Sequence, residues 1–227
     1  MSEIGKKCAC FLAQASHDLR QPLQALLIYL DLFETNNFSP KQKELWEKIL
    51  KTTYSIKQLL NNVVDFSKFE CANIRPNLTN VNIGNLLSDL GEEFFILAQK
   101  QKIDFKCNIC CCTVYTDVLL LERILRNLLS NAFKFTENTV VLCCEDFDDL
   151  IKIKVSDNGC GISFEEQKFI FDDFYQGENA LLLNNNDGAG LGLAIVKKIA
   201  AILNVEINVQ SIVGKGSDFI LTLKKIC

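Results

Sequence analysis
The sequence is short of several things, and each shortage excludes something. It has a single histidine, His17, so any metal site or catalytic constellation built on several imidazoles is ruled out. Lys and Arg number 24 against 28 Asp and Glu, a formal charge of −4 with no basic tract, which argues against nucleic acid as a partner. No apolar run approaches the roughly 20 residues of a membrane-spanning helix, and Met1–Cys10 is too polar for a signal peptide. The first 72 residues hold one glycine, Gly5, so that stretch has little turn-forming capacity and reads as long helices.

Cysteine, by contrast, is abundant: eleven residues. The count is odd and the chain large, so a disulfide scaffold is not expected. Cys110–Cys112 and Cys143–Cys144 lie in apolar runs where a free thiol serves as a small hydrophobe. Cys107-x-x-Cys110 has metal-like spacing, but no second pair or nearby histidine completes a zinc site. A reduced, cytoplasmic protein is the expectation.

The chain divides into two halves of different texture. In residues 1–72, Leu12, Ala15, Leu19, Leu23, Leu26, Leu30 and Phe33 recur every three or four positions. Leu45, Ile49, Thr52, Ile56, Leu59, Val63 and Phe66 do the same. Such heptad seams pack helices side by side. Thr35–Pro40 breaks the pattern, with Ser39 as N-cap and Pro40 in the first turn of a second helix. An antiparallel hairpin follows. Trp46, Leu50, Leu60 and Val64 flank the seam. Either a second copy, forming a four-helix bundle, or the rest of the chain must cover them.

Residues 73–80 form a polar linker, and residues 81–227 mix helix and strand. Asn85–Gln101, Asp117–Phe135 and Ala189–Leu203 read as helices; Val140–Cys144, Ile151–Val155, Val205–Val209 and Phe219–Leu223 read as strands. The expected fold is therefore α+β: a helical hairpin followed by a two-layer α/β sandwich.

His17 lies two residues from Ala15 and Leu19, about 200° away around a helix, and so points away from the seam. It is either an idle surface residue or a presented nucleophile, for which neutral imidazole is competent. Asp18 beside it can accept a ring proton, and Pro22 inside the helical pattern should bend the helix. In the second half, Asn127, Asn131, Lys134 and Phe135 fall at intervals of four, three and one. Two amide oxygens one turn apart can hold Mg²⁺ with phosphate and water, a lysine can meet phosphate, and a phenylalanine can stack on a base. Asp157-Asn158-Gly159-Cys160-Gly161 follows an apolar strand and sets a carboxylate where it can accept from an exocyclic amine. Gly188-Ala189-Gly190-Leu191-Gly192-Leu193 opens a helix in a manner suited to phosphate. Taken singly, each is an amphipathic helix, a common turn or a flexible helix start.

Together they carry a resemblance. Ser16-His17-Asp18-Leu19-Arg20-Gln21-Pro22-Leu23 closely resembles the H-box of histidine kinases. The later trio resembles the N-box and two glycine boxes of the ATPase superfamily that histidine kinases share with gyrase, heat-shock chaperones and mismatch-repair proteins. Phe169–Gln176 is similar to the kinase F-box. The resemblance implies a homodimer through residues 1–72 and MgATP as substrate. His17 would be the phosphoacceptor, Asp18 its base, and a receiver-domain aspartate on a response regulator the next acceptor. It implies Mg²⁺ ligation by Asn127 and Asn131, phosphate contact by Lys134, and adenine contacts by Phe135 and Asp157. Gly159, Gly161, Gly188, Gly190, Gly192 and Leu193 would complete the nucleotide site under a lid over 175–189. Gln21 departs from the Thr or Asn of many members, a position tied to dephosphorylation of the partner. No receiver or sensor is expected within these residues, as in a core excised from a larger membrane-bound sensor or one whose input is separate. The rival readings are a clamp-type conformational ATPase with His17 idle, and a pseudokinase scaffold that only dimerises.

Overall fold
The computed structural model describes residues 19, 21–33, 35, 38–71, 74–177 and 190–225. They fall into two units, one drawn from residues 1–74 and 186–191, the other from 75–185 and 192–227. No described helix is long and apolar enough to cross a membrane.

In the first unit, residues 21–31 are helical (α1) and a second helix, α2, spans Pro40–Cys71. The start of α2 is set locally. Ser39 Oγ accepts from the Gln42 N–H (3.4 Å) while Gln42 Oε1 accepts from the Ser39 N–H (2.8 Å). This reciprocal capping satisfies donors that the first turn leaves unpaired. Between the helices, Phe33 packs on Trp46 with ring centroids 5.1 Å apart, and Phe38 meets the same indole edge-on at 5.8 Å. Those three rings fix the reversal of the chain.

The apolar stripe of α2 behaves differently from the sequence expectation. Leu45 is 59% exposed and Ile56 49%, with Ile49 and Thr52 also exposed, whereas Thr53 and Val64 are buried. Within one chain, then, the line read as flanking is the better covered, and the heptad line lies open from Leu45 to Ile56 while Leu59, Val63 and Phe66 are half-buried. A helix carrying two adjacent apolar stripes can bury only one against a single neighbour.

The second unit starts with β1 (Thr79–Asn82), so Thr79 and Asn80, read as linker, are strand residues. Next come α3 (Ile83–Gln101), β2 (Asp104–Asn108), β3 (Thr113–Thr116), α4 (Val118–Phe135), β4 (Thr139–Asp146) and β5 (Leu150–Asp157). A 3-10 turn at Glu166–Lys168 precedes α5 (Gly192–Leu203), β6 (Glu206–Ile212) and β7 (Gly216–Lys224). The main sheet has the order β2-β4-β5-β7-β6, parallel only between β2 and β4, and β1 pairs with β3 in a separate ribbon. Strands β1, β2 and β3 escaped the sequence reading because they are short. Each carries at most two inward positions. Helix α5 begins at Gly192, three residues later than the glycine pattern suggests.

Inward residues alternate along β4, β5 and β7, and the register aligns them in rungs. Leu142 sits opposite Val155 and Val155 opposite Phe219; Cys144 opposite Ile153 and Ile153 opposite Leu221. Helices α3, α4 and α5 cover that one face, with α4 central against β4, β5 and α5. Helix α4 is capped by Asp117, whose carboxylate accepts from the Leu119 and Leu120 N–H groups at 3.0 and 3.1 Å. It buries Leu121, Ile124, Leu125, Leu128 and Leu129 completely. A Leu128→Ala change should cost about 3 kcal/mol of stability, since a fully enclosed leucine leaves a void when truncated; urea unfolding of the variant measures it.

Two cysteines overturn the small-hydrophobe expectation. Cys110 and Cys144 are joined in a disulfide, because the loop after β2 runs beside β4. Cys112 remains a free, buried thiol.

Candidate functional site
Two secondary-structure ends and one turn meet around Asp157. The C-terminal half of α4 carries Asn127, Asn131, Lys134 and Phe135, each half-buried. Asp157 ends β5, opposite Val140 of β4 and Ser217 of β7. Its Oδ1 accepts from the Gly159 N–H at 2.8 Å, which orients the carboxylate. Burial pushes its pKa above the usual carboxylate range, opposed by backbone hydrogen bonds from Gly159 and Ser217 and reinforced by nearby Asp218.

Close backbone packing joins these pieces. A Cβ added at Gly159 would sit 1.9 Å from the Phe135 carbonyl oxygen, so only glycine lets the turn lie against the end of α4. Gly161 adopts φ +68°, in the left-handed region. A third close approach was not anticipated from sequence: Gly216, where a Cβ would fall 1.9 Å from the Asp157 carbonyl oxygen.

Asn158 was quoted in the motif without a role, and it is the hub of the turn. Its Oδ1 accepts from the Thr136 hydroxyl (2.8 Å), the Thr139 N–H (2.9 Å) and the Asn138 N–H (3.1 Å). Its Nδ2 donates to Asn138 Oδ1 at 2.9 Å. One amide thus ties the exit of α4 and the start of β4 to the loop bearing Asp157. Asparagine flanked by Asp and Gly in a turn was the available signal, since Asn side chains bond nearby backbone there.

On α4, Asn127 Nδ2 donates to the Arg123 carbonyl at 2.9 Å. That bond turns its Oδ1 toward α5, where a Cβ on Gly192 would lie 3.2 Å from it. An amide held with its oxygen outward, one helical turn from Asn131, suits a hard cation that takes few protein ligands. Lys134 Nζ lies over the Phe135 ring at 5.1 Å. Gly190 has φ +69° and Leu193 is half-buried in the first turn of α5. In the segment resembling an F-box, Ile170 is buried, Phe171 meets Phe219 edge-on at 6.5 Å, and Phe169 lies 6.1 Å from Tyr175. Phe135, Asp157 and Gly159 are therefore brought together, and Asn127 meets Gly192 farther back along α4. His17, Asp18, Gly188 and 178–189 of the expected lid lie outside the described residues.

The elevated Asp157 pKa has a sign that can be worked through. A carboxyl whose folded pKa exceeds its unfolded one binds more protons when folded. Stability therefore falls as pH rises from the ordinary carboxylate value through the raised one, and the penalty persists above it. Asp157→Asn should accordingly stabilise the protein at neutral pH, with the gain vanishing in acid. The same change should weaken adenine-nucleotide binding by about 2 kcal/mol, roughly 30-fold, as expected for losing a charged hydrogen-bond acceptor. Thermal unfolding across pH and nucleotide titration measure the two halves.

Comparison with known proteins follows the same division. A family model described as histidine kinase-, DNA gyrase B-, and HSP90-like ATPase matches residues 116–226. One described as His Kinase A (phospho-acceptor) domain matches residues 10–72. The chain is 32% identical over 222 residues to the sensor histidine kinase GacS of Pseudomonas protegens, covering 94% of this chain and 24% of that protein. It is 30% identical over 217 residues to the sensor histidine kinase RcsC of Salmonella typhimurium, covering 94% and 23%. The chain thus spans about a quarter of the length of these relatives. Among solved structures, full-length ShkA in complex with AMPPNP superposes with a TM-score of 0.75 at 28% identity, covering 95% of this chain and 46% of that one. The nucleotide-free catalytic domain of the histidine kinase ThkA gives 0.56 at 26% identity, covering 66% and 98%.

Proposed function
We propose, for a chain that belongs to the histidine kinase family, that it transfers the γ-phosphoryl group of MgATP to His17 and passes it on to an aspartate of a response-regulator receiver domain. The observation that carries this reading is a conjunction within one chain. A half-buried, glycine-framed carboxylate at the end of β5 lies beside the C-terminal end of α4, and the lone histidine falls within the segment that matches a phosphoacceptor family.

In this reading residues 1–72 form the dimerisation and phosphoacceptor hairpin, and the catalytic domain begins after a short linker with β1 at Thr79. Asp157 accepts from the adenine amine and Phe135 packs beside the ring. Asn127 and Asn131 offer amide oxygens to Mg²⁺, Lys134 meets phosphate, and Gly159, Gly161, Gly188, Gly190, Gly192 and Leu193 shape the walls. When bound at Asn127 and Asn131, Mg²⁺ would supply neutralisation of phosphate charge. The protein's own work is positioning and electrostatic stabilisation, with Asp18 taking the imidazole proton. Because the substrate is ATP, we assign this segment to the cytoplasm.

The open heptad line on α2 supports the homodimer, since a second copy would cover Leu45, Ile49 and Ile56. Replacing Ile49 and Ile56 together by glutamate should leave a monomer, read by sedimentation velocity, without altering nucleotide affinity.

Incubation with γ-labelled MgATP tests the function. Acid-labile, alkali-stable label on the protein supports the kinase. ATP hydrolysis without protein-bound label supports a conformational ATPase, and neither outcome supports a dimerising scaffold.

A further inference from the structure
Three cysteines converge at the end of the sheet remote from Asp157. Cys110 and Cys112 lie in the loop between β2 and β3, and Cys144 lies on β4. Asp157 pairs with Val140 and Ile153 with Cys144, so four residues of strand, about 13 Å, separate the cysteine group from the carboxylate. The three sulfurs lie within 4.8 Å of one another.

The topology produces this meeting. β2 runs parallel to β4 with Asn108 beside Cys143, so the chain leaving β2 passes alongside Cys144. Cys144 follows Val140 and Leu142 in the alternation that faces inward. Cys110 and Cys112 flank an exposed Cys111. Alternate residues of an extended loop share a side, which sends both sulfurs toward Cys144.

A disulfide uses two of the three. The third, Cys112, is only 8% exposed, and its Sγ lies 3.2 Å from that of Cys110. Pairing Cys110 with Cys144 gives no reason for a second buried sulfur in contact with the first. A soft ion does. Thiolates bound at about 2.3 Å around one centre stand roughly 4 Å apart, which the separations allow once the disulfide is opened. No other Cys, His, Asp or Glu among the described residues joins the group. Zn²⁺ favours four ligands, whereas a closed-shell monovalent ion is content with three soft ones.

We propose that Cys110, Cys112 and Cys144, in the reduced protein, form a trigonal thiolate site for a thiophilic monovalent ion, Cu(I). A reductant supplies two electrons and two protons to the Cys110–Cys144 bond, giving two thiols. Three thiols then bind one Cu(I) and release three protons, leaving the complex with a net charge of −2. Reoxidation reverses the first step and expels the ion. The site is independent of the nucleotide chemistry and survives even if the kinase reading fails.

The test uses the full chain, reduced with a phosphine, which becomes the phosphine oxide by taking oxygen from water. Cu(I) is titrated anaerobically against a chromogenic chelator, and alkylation with peptide mass analysis maps the thiols protected. One equivalent retained, with Cys110, Cys112 and Cys144 protected together, is the expected result. Cys112→Ser should abolish retention while Cys110–Cys144 still oxidises to a disulfide, and Cys111→Ser should bind as wild type. The proposal is overturned if wild type retains no Cu(I), if Cys112→Ser retains a full equivalent, or if protection falls on other cysteines. The protection map needs no variant, so a misfolded mutant does not spoil the test.

Discussion
His17→Ala should reduce acid-labile labelling of the protein from γ-labelled MgATP to background, a loss of at least about 1000-fold as for other removed nucleophiles, while ATP still binds with unchanged affinity. The chain has no second histidine to substitute. A phosphoryl group on nitrogen is acid-labile and alkali-stable, opposite to one on serine or threonine, so the chemistry of the label identifies the acceptor. Nucleotide affinity should hold because the groups assigned to ATP all belong to residues 127–193. Labelling that persists in the variant, or a parallel loss of ATP binding, would contradict the assignment. Residual ATP hydrolysis in both proteins would instead favour the clamp-type ATPase.

The second large effect is expected at Gly159. A Gly159→Val chain must place a Cβ where the Phe135 carbonyl oxygen would be 1.9 Å away and Asp157 Oδ1 2.9 Å away. Neither neighbour is a flexible side-chain end. One is helix backbone, and the other is the carboxylate that the Gly159 N–H orients. The turn must therefore lift off α4, costing about 2–3 kcal/mol of stability from overpacking and moving Asp157 away from the base it is proposed to read. Nucleotide binding should disappear in calorimetric titration even where circular dichroism shows a folded protein. Gly214→Ala is the matched control. That residue has φ +75° but nothing within 4 Å of an added Cβ, so it should lose only about 1 kcal/mol through backbone strain and bind nucleotide normally. Equal behaviour of the two variants would mean that contact with Phe135 is not what makes Gly159 necessary.

Much of this was legible before any coordinates. Local rules sufficed for α2, whose Ser39-Pro40 start closes into a reciprocal cap with Gln42, and for α4, whose period of apolar residues predicts the buried stripe from Leu121 to Leu129. Asp157 at a strand end and Gly159 in the turn were legible as well, because strand pattern and turn chemistry are written in neighbouring residues. The hub role of Asn158 was not, since its partners Thr136, Asn138 and Thr139 lie about twenty residues away and become neighbours only when β4 pairs with β5.

By itself, then, the sequence determined the helical first half, the identity of the histidine on offer and the acidic, glycine-framed turn, because periodicity, capping and turn preference act over four or five residues. Tertiary structure alone decided which stripe of α2 stays open, why Gly216 must lack a side chain, and that Cys110, Cys112 and Cys144 meet. The first depends on which stripe a neighbouring helix covers, and the other two on which strand lies beside which, a matter of register between segments more than thirty residues apart that no local pattern encodes.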